Sequence, residues 1–89
     1  MSTSARSALT GSDTQRILGV VAETLDIEAS DIDLDTDLHG TGRLDSLAVV
    51  ALVAFVEDEL GLKLAVGEIV PRNFSSVRRI AELVERARR

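Results

Sequence analysis

Apolar residues recur at helical spacing near both ends of the chain. The two stripes consist of Ile17, Leu18, Val21, Ala22 and Leu25, and of Val77, Ile80, Ala81, Leu83 and Val84. Positions three and four residues apart share one face of an α-helix, so these spacings predict helices over residues 13–25 and 76–87. Ser12 or Asp13 can cap the first helix, and Asn73, Ser75 or Ser76 can cap the last.

The middle of the chain holds a solid run of ten apolar residues, from Leu47 to Val56. Such a run does not reveal its own period, so a buried strand and a helix both fit it. Two features favour a helix over residues 47–60. The segment is long for a strand, and Gly61 can adopt the left-handed conformation that often follows a helix. Asp45 or Ser46 can cap its start.

This central helix is expected to have two unlike faces. Its inner face would carry Val49, Leu52, Val53, Val56 and Leu60, and its outer face Leu47, Val50, Ala51, Ala54 and Asp58. The outer face is therefore unusually apolar for a surface exposed to solvent.

The connections are expected to be irregular. Residues 26–45 lack a sustained period and are predicted to form a long loop, pinned to the core by its aliphatic residues. Residues 62–66 are predicted to be an extended connection, and Glu68–Val70 one short turn of helix before Pro71. The chain is thus predicted to be all-α, a small helical bundle with an up-down plan and a long first loop.

Length and composition define one domain and exclude several classes. The 89 residues suffice for a single domain, predicted over residues 12–89 after a disordered segment at 1–11. With no cysteine and one histidine, His39, the chain offers no disulfide, thiolate site or histidine cluster, so no metal site is predicted and a reducing cytoplasm fits. The apolar run is about half the length that a membrane-spanning helix needs.

Charge is divided along the chain. Residues 17–62 carry eleven acidic residues and one arginine, whereas residues 63–89 carry seven basic and three acidic residues. The acidic middle repels a phosphate backbone and no stacking aromatics accompany the basic end, so nucleic-acid binding is not predicted and a basic protein partner fits better. The acidic loop lacks the glycine and terminal glutamate of a calcium-binding hand, so it is interpreted as solvated.

Ser46 stands at the edge of the apolar run, and three roles compete for it. It can be a simple helix cap. It can be a hydrolase nucleophile, although His39 lies seven residues upstream and no Gly-x-Ser-x-Gly elbow surrounds the serine. It can also carry a phosphate-linked group, because an anion is favoured beside the unpaired amides at the start of a helix.

Several motifs together resemble the acyl carrier protein family. They are G-x-L-D-S-L at Gly42–Leu47, EDELGL at Glu57–Leu62 and PRNFSSVRRIAELV at Pro71–Val84, and the resemblance covers about residues 13–87. It implies an acyl-carrier-protein-like four-helix bundle with a long first loop and a short third helix. It also implies that Ser46, flanked by Asp45 and Leu47, receives 4'-phosphopantetheine from coenzyme A, whose thiol then carries acyl or aminoacyl groups as thioesters.

The sequence departs from the common pattern of this family in one respect. Fatty-acid carriers usually bear acids two and five residues beyond the modified serine, where this chain has Ala48 and Ala51. A partner is therefore expected to meet an apolar surface, with acidic residues for steering. The expected partner-binding residues are Leu47, Val50, Ala51, Ala54, Glu57 and Asp58.

The combined prediction is a discrete carrier rather than an enzyme. The spacing around Ser46 and the later N-F-x-S-x-x-x-I pattern are similar to those of D-alanyl and aminoacyl carrier proteins served by a stand-alone adenylating ligase. The expected partners are a phosphopantetheinyl transferase, an adenylating ligase or acyltransferase, and a downstream acyl-accepting enzyme. The protein is expected to be a cytoplasmic monomer without membrane insertion. The main alternative is an adaptor of the same fold that is never modified and binds one protein partner.

Overall fold

The structure is a computed structural model and describes residues 13–89, in which three α-helices form. Helix α1 spans Asp13–Leu25, α2 spans Ser46–Leu60 and α3 spans Val77–Arg88. No β-strand occurs within residues 13–89, so the helical interpretation of the central apolar run is confirmed. The predicted disordered segment and the candidate cap Ser12 lie outside the described residues.

The short third helix of the predicted four-helix bundle is replaced by two 3-10 turns, at Val66–Glu68 and Pro71–Phe74. A four-helix count is therefore not confirmed within residues 13–89. The turn predicted at Glu68–Val70 is displaced, because one turn already ends at Glu68 and Pro71 begins a second one. Proline suits the first position of a helical turn, where its missing N–H has no partner to lose.

Helix α1 packs against both α2 and α3, and the core lies between the three helices and their connections. The buried apolar residues are Ile17, Val21, Ala22, Leu25, Ile32, Leu38, Leu52, Val56, Leu60, Leu64, Phe74, Val77, Ile80, Leu83 and Val84. All but one of these are aliphatic, since Phe74 is the single aromatic member. The predicted inner stripes of α1 and α3 are buried except for Leu18 and Ala81, which are half-buried. Val49 and Val53 of α2 are half-buried as well.

The long first loop, residues 26–45, is tied to the start of α3. The Leu38 amide donates to the Ser75 carbonyl at 2.8 Å, and the Arg78 amide donates to the Leu34 carbonyl at 2.9 Å. The loop also contains two 3-10 turns, Ala29–Asp31 and His39–Thr41. These bonds satisfy backbone groups that would otherwise need water, and so hold the loop in one course over the core.

The same loop is tied to the end of α1 just before it reaches α2. Asp26, the residue after α1, has a left-handed backbone (φ 57°), at a position where glycine is the usual residue. The Arg43 guanidinium donates to the carbonyls of Leu25 at 3.2 Å and Asp26 at 3.1 Å. Arg43 therefore satisfies the final carbonyls of α1 and fixes the chain three residues before Ser46.

Candidate functional site

Ser46 is the first residue of α2 and is exposed to solvent. The preceding residue, Asp45, caps the helix, because its backbone is extended and its Oδ1 accepts a hydrogen bond from the Ala48 amide at 2.8 Å. Of the two residues predicted as caps, Asp45 performs the role. The Ser46 hydroxyl is consequently not required for starting the helix and faces solvent.

The first turn of α2 contains four backbone amides close to this hydroxyl, of which two are already hydrogen-bonded. The Ala48 amide is bound by Asp45, and the Val49 amide donates to the Asp45 carbonyl at 2.9 Å. The amides of Ser46 and Leu47 lie in the first turn, where the helix itself provides no acceptor. An anion esterified to Ser46 would lie beside these amides and the positive end of the helix dipole.

A shallow depression of about 430 Å³ lies beside Ser46. It is lined by His39, Leu44, Asp45, Ser46, Val49, Ile69, Val70 and Pro71. Its walls come from the end of the first loop, the first turn of α2 and the segment that carries the two later 3-10 turns. The lining side chains are mostly apolar, and polar side chains come only from His39, Asp45 and Ser46.

In the sequence analysis His39 entered only as a poorly placed base for the hydrolase alternative, yet the structure places it in this depression with Ser46. Its Nε2 lies 3.0 Å from the Pro71 carbonyl oxygen. A carbonyl can only accept, so Nε2 carries a proton and donates it to Pro71. That nitrogen is therefore not free to act as a base toward Ser46.

The outer face of α2 is as apolar as the sequence predicted. Leu47 is 77% exposed and Val50 is 64% exposed, while Ala54 is exposed and Ala51 half-buried. Phe55 adds to this exposed apolar surface at 45% exposure, which the sequence interpretation missed. Its position on the flank of the helix, between the inner and outer faces, was the signal available from helical spacing.

The two acids assigned to partner steering differ in the structure. Asp58 is exposed, whereas Glu57 is half-buried and its Oε2 accepts a hydrogen bond from the Leu64 amide at 2.9 Å. Glu57 therefore orders the connection that follows α2. Of the two, Asp58 is the acid fully available at the surface.

The acids of the first loop mainly form local hydrogen bonds and one close ion pair. Asp33 Oδ1 accepts from the Asp35 amide at 3.0 Å and Asp37 Oδ1 accepts from the His39 amide at 3.1 Å. Asp35 forms a two-point pair with Arg78, at 2.7 and 3.0 Å, whose hydrogen bonds lower the pKa of the Asp35 carboxyl. Within the part of the chain that the structure describes, no group of three or more potential metal ligands comes together.

The basic last helix uses part of its charge within the molecule. Besides Arg78, Arg86 pairs with Glu68 at 3.0 Å and Arg88 pairs with Asp13 at 3.2 Å. These pairs balance part of the positive charge of the helix within the molecule. None of the helices between residues 13 and 89 is both long and apolar enough to cross a membrane.

Comparison with known proteins agrees with this geometry. Residues 15–84 match the family described as "Phosphopantetheine attachment site" (PP-binding). Since the match covers well over half of the chain, the protein belongs to the phosphopantetheine-binding acyl carrier protein family. A relative described as probable acyl carrier protein PigG, from Serratia sp. (strain ATCC 39006), is 33% identical over 67 residues, which cover 75% of this chain and 77% of that protein. No solved structure matches the chain significantly.

Family membership confirms three predictions made from the sequence. The protein is a carrier and not an enzyme, its cofactor is covalently attached 4'-phosphopantetheine, and it interacts with a phosphopantetheinyl transferase and with acyl-handling enzymes. The residues around Ser46 fit such a group, because an exposed hydroxyl, free helix amides and a mostly apolar depression lie together. The bound cofactor supplies a terminal thiol, which this cysteine-free chain lacks.

Proposed function

We propose that this protein is a discrete acyl or aminoacyl carrier in which Ser46 is the attachment residue for 4'-phosphopantetheine. The observation that carries the proposal is the division of roles at the start of α2. Asp45 caps the helix through Ala48, and the neighbouring Ser46 hydroxyl is exposed. Ser46 is also the serine of the Asp-Ser-Leu motif, and it lies within the matched residues 15–84.

The attachment reaction requires little from the chain beyond an accessible hydroxyl. The Ser46 oxygen forms a bond to the pantetheine-side phosphorus of coenzyme A, the diphosphate linkage breaks, and adenosine bisphosphate leaves. The hydroxyl proton passes to a base of the transferase. The Ser46 and Leu47 amides and the helix dipole then favour the resulting phosphodiester anion.

Intact mass spectrometry tests this assignment. The protein is incubated with coenzyme A and a broad-specificity phosphopantetheinyl transferase, alongside Ser46→Ala and the control Ser30→Ala, which changes another exposed serine in the turn Ala29–Asp31. Wild type and Ser30→Ala should gain one phosphopantetheine group and Ser46→Ala should gain none. A gain that persists in Ser46→Ala would refute the assignment. No gain in any variant would favour the unmodified adaptor.

The loading enzyme proposed is a stand-alone adenylating ligase. Such a ligase activates a carboxylic acid as an acyl adenylate, and the thiol of the cofactor then displaces the adenylate to form the thioester. The proposal rests on the resemblance to D-alanyl and aminoacyl carriers and on the apolar residues Ala48 and Ala51, where fatty-acid carriers usually bear acids. Modified protein assayed with candidate ligases and a panel of amino and fatty acids, read by intact mass, would identify the cargo. Loading only by an acyltransferase would exclude the ligase.

The partner-binding surface proposed is the outer face of α2 together with its flank. It consists of Leu47, Val50, Ala51, Ala54, Phe55 and Asp58, with Glu57 at its edge. The exposed apolar side chains provide contact area, and Asp58 attracts basic partners over a longer range. Because the cargo is tethered, each partner experiences it at high effective concentration, so weak docking by a cytoplasmic monomer suffices.

A further inference from the structure

The ring of His39 is held in place at the rim of the depression beside Ser46. Its Nε2 donates to the Pro71 carbonyl oxygen at 3.0 Å, and its backbone amide donates to Asp37 Oδ1 at 3.1 Å. The preceding residue, Leu38, is fully buried and bonded through its amide to Ser75. The imidazole is therefore anchored through both its backbone and one ring nitrogen, although it is exposed.

The other ring nitrogen, Nδ1, has a role that depends on protonation. In the neutral ring Nε2 keeps the proton that binds Pro71, so Nδ1 is an acceptor and cannot bind an anion. In the charged ring Nδ1 also carries a proton and becomes a donor, while the bond to Pro71 persists.

No lysine or arginine lines the depression beside Ser46. Within the depression, the single carboxylate belongs to Asp45, which lies directly beside Ser46 and is bound to Ala48. Asp37 flanks His39 on its own loop, and the facing segment lines the depression with the uncharged residues Ile69, Val70 and Pro71. Two nearby cations, Arg43 and Arg72, do not line the depression, and Arg43 donates to the carbonyls of Leu25 and Asp26. His39 is thus the one lining residue that can carry positive charge.

We propose that His39 binds the phosphodiester of the cofactor arm attached to Ser46, through Nδ1 of its protonated ring. This inference rests on the proposed attachment at Ser46. While the ring is protonated, the phosphodiester at the attached end of the arm lies in the depression and is hydrogen-bonded to His39. When the ring loses its proton, the contact is lost, and the phosphodiester keeps only the helix amides. Neither change requires movement of the backbone, since Pro71 holds the ring in both forms.

Phosphorus NMR of the modified protein tests this contact. A phosphodiester stays ionised from about pH 5 to 8, so a shift of its resonance in this range reports a neighbouring group that titrates there. His39 is the only histidine in the chain. The variant His39→Gln retains a side-chain N–H that can donate to the Pro71 carbonyl but cannot gain a proton. Circular dichroism and intact mass verify that this variant folds and carries the arm.

We expect one sigmoidal shift of the phosphorus resonance with pH in the wild type and a flat response in His39→Gln. A flat response in modified wild type, or a step of equal size in His39→Gln, would overturn the contact while leaving Ser46 as the attachment residue. Failure of the proposed function is distinguishable, because it would appear as the absence of added mass before any spectrum is recorded. It would overturn this inference as well.

Discussion

The cap at Asp45 can be removed without altering the Ser46 hydroxyl. In Asp45→Ala the Ala48 amide loses its acceptor, at 2.8 Å in the native protein, and loss of such a cap costs about 1 kcal/mol. The carboxylate at the positive end of α2 contributes about 0.5 kcal/mol more through the helix dipole. We therefore expect Asp45→Ala to lower the free energy of unfolding by about 1.5 kcal/mol. Asp45→Asn keeps an acceptor and loses only the charge, so its cost should be about 0.5 kcal/mol.

Urea denaturation followed by far-ultraviolet circular dichroism measures these differences, because the chain has no tryptophan or tyrosine for fluorescence. A protein of this size has a total stability of about 4–13 kcal/mol, so a loss of about 1.5 kcal/mol is readily detected. Asp58→Ala is the matched control. It removes an exposed aspartate side chain from the last turn of α2. A negative charge is unfavourable at that end of the helix dipole, so removing this carboxylate should not lower the free energy of unfolding.

Two results would refute this reasoning. If Asp45→Ala and Asp58→Ala were equally stable, the hydrogen bond from Ala48 would contribute nothing. If Asp45→Asn lost as much stability as Asp45→Ala, charge and not capping would hold the start of the helix. Hydrogen exchange of the Ala48 amide, expected to accelerate only in Asp45→Ala, identifies the site of the change.

Three further changes test the core, the first loop and the docking surface. Phe74→Ala, at a fully buried residue, should cost about 3–5 kcal/mol of stability and lower Tm sharply in a thermal melt. Asp35→Asn should be less stable than wild type at neutral pH, because the hydrogen bonds from Arg78 lower the pKa of Asp35 in the folded state. The stability difference should be complete above the pKa of Asp35 in the unfolded chain, near about 4. It should disappear as the pH falls through the lower pKa of the folded state. Salt should shrink this difference in urea titrations. Leu47→Asp should raise KM for the transferase without lowering Tm, whereas Val66→Asp, at an equally exposed apolar residue outside α2, should leave KM unchanged.

The helices were predictable from the sequence because their signals are local. Stripes such as Ile17, Val21 and Leu25 report a buried face directly, and Gly61 adopts the left-handed conformation expected of it, with φ 64°. The exposed serine was also predictable, since it lies between a capping aspartate and an apolar helix. Family membership then confirmed the carrier function and cofactor that these motifs implied.

The missed features depend on contacts between distant residues. His39 meets Pro71 from 32 positions away, and Arg43 reaches back to the carbonyl of Leu25, 18 positions earlier. No periodicity encodes such pairs. The short helix expected between α2 and α3 was not found for a related reason. Asn73 is buried and its Nδ2 donates to the Glu68 carbonyl at 2.7 Å. The segment around this bond forms two 3-10 turns.

The position of Ser46 between two fixed pieces of backbone determines how an attached group can travel. Downstream it is part of the first turn of α2, and upstream Arg43 fastens the chain to the end of α1. A group esterified there would be attached to backbone that is held on both sides. The distance its far end can cover would then depend on rotation about the bonds of the attached group. With the proposed attachment at Ser46 and the proposed docking surface on α2, a docked partner enzyme would find the attached end of the arm at one constant place, whichever acyl group the thiol carries.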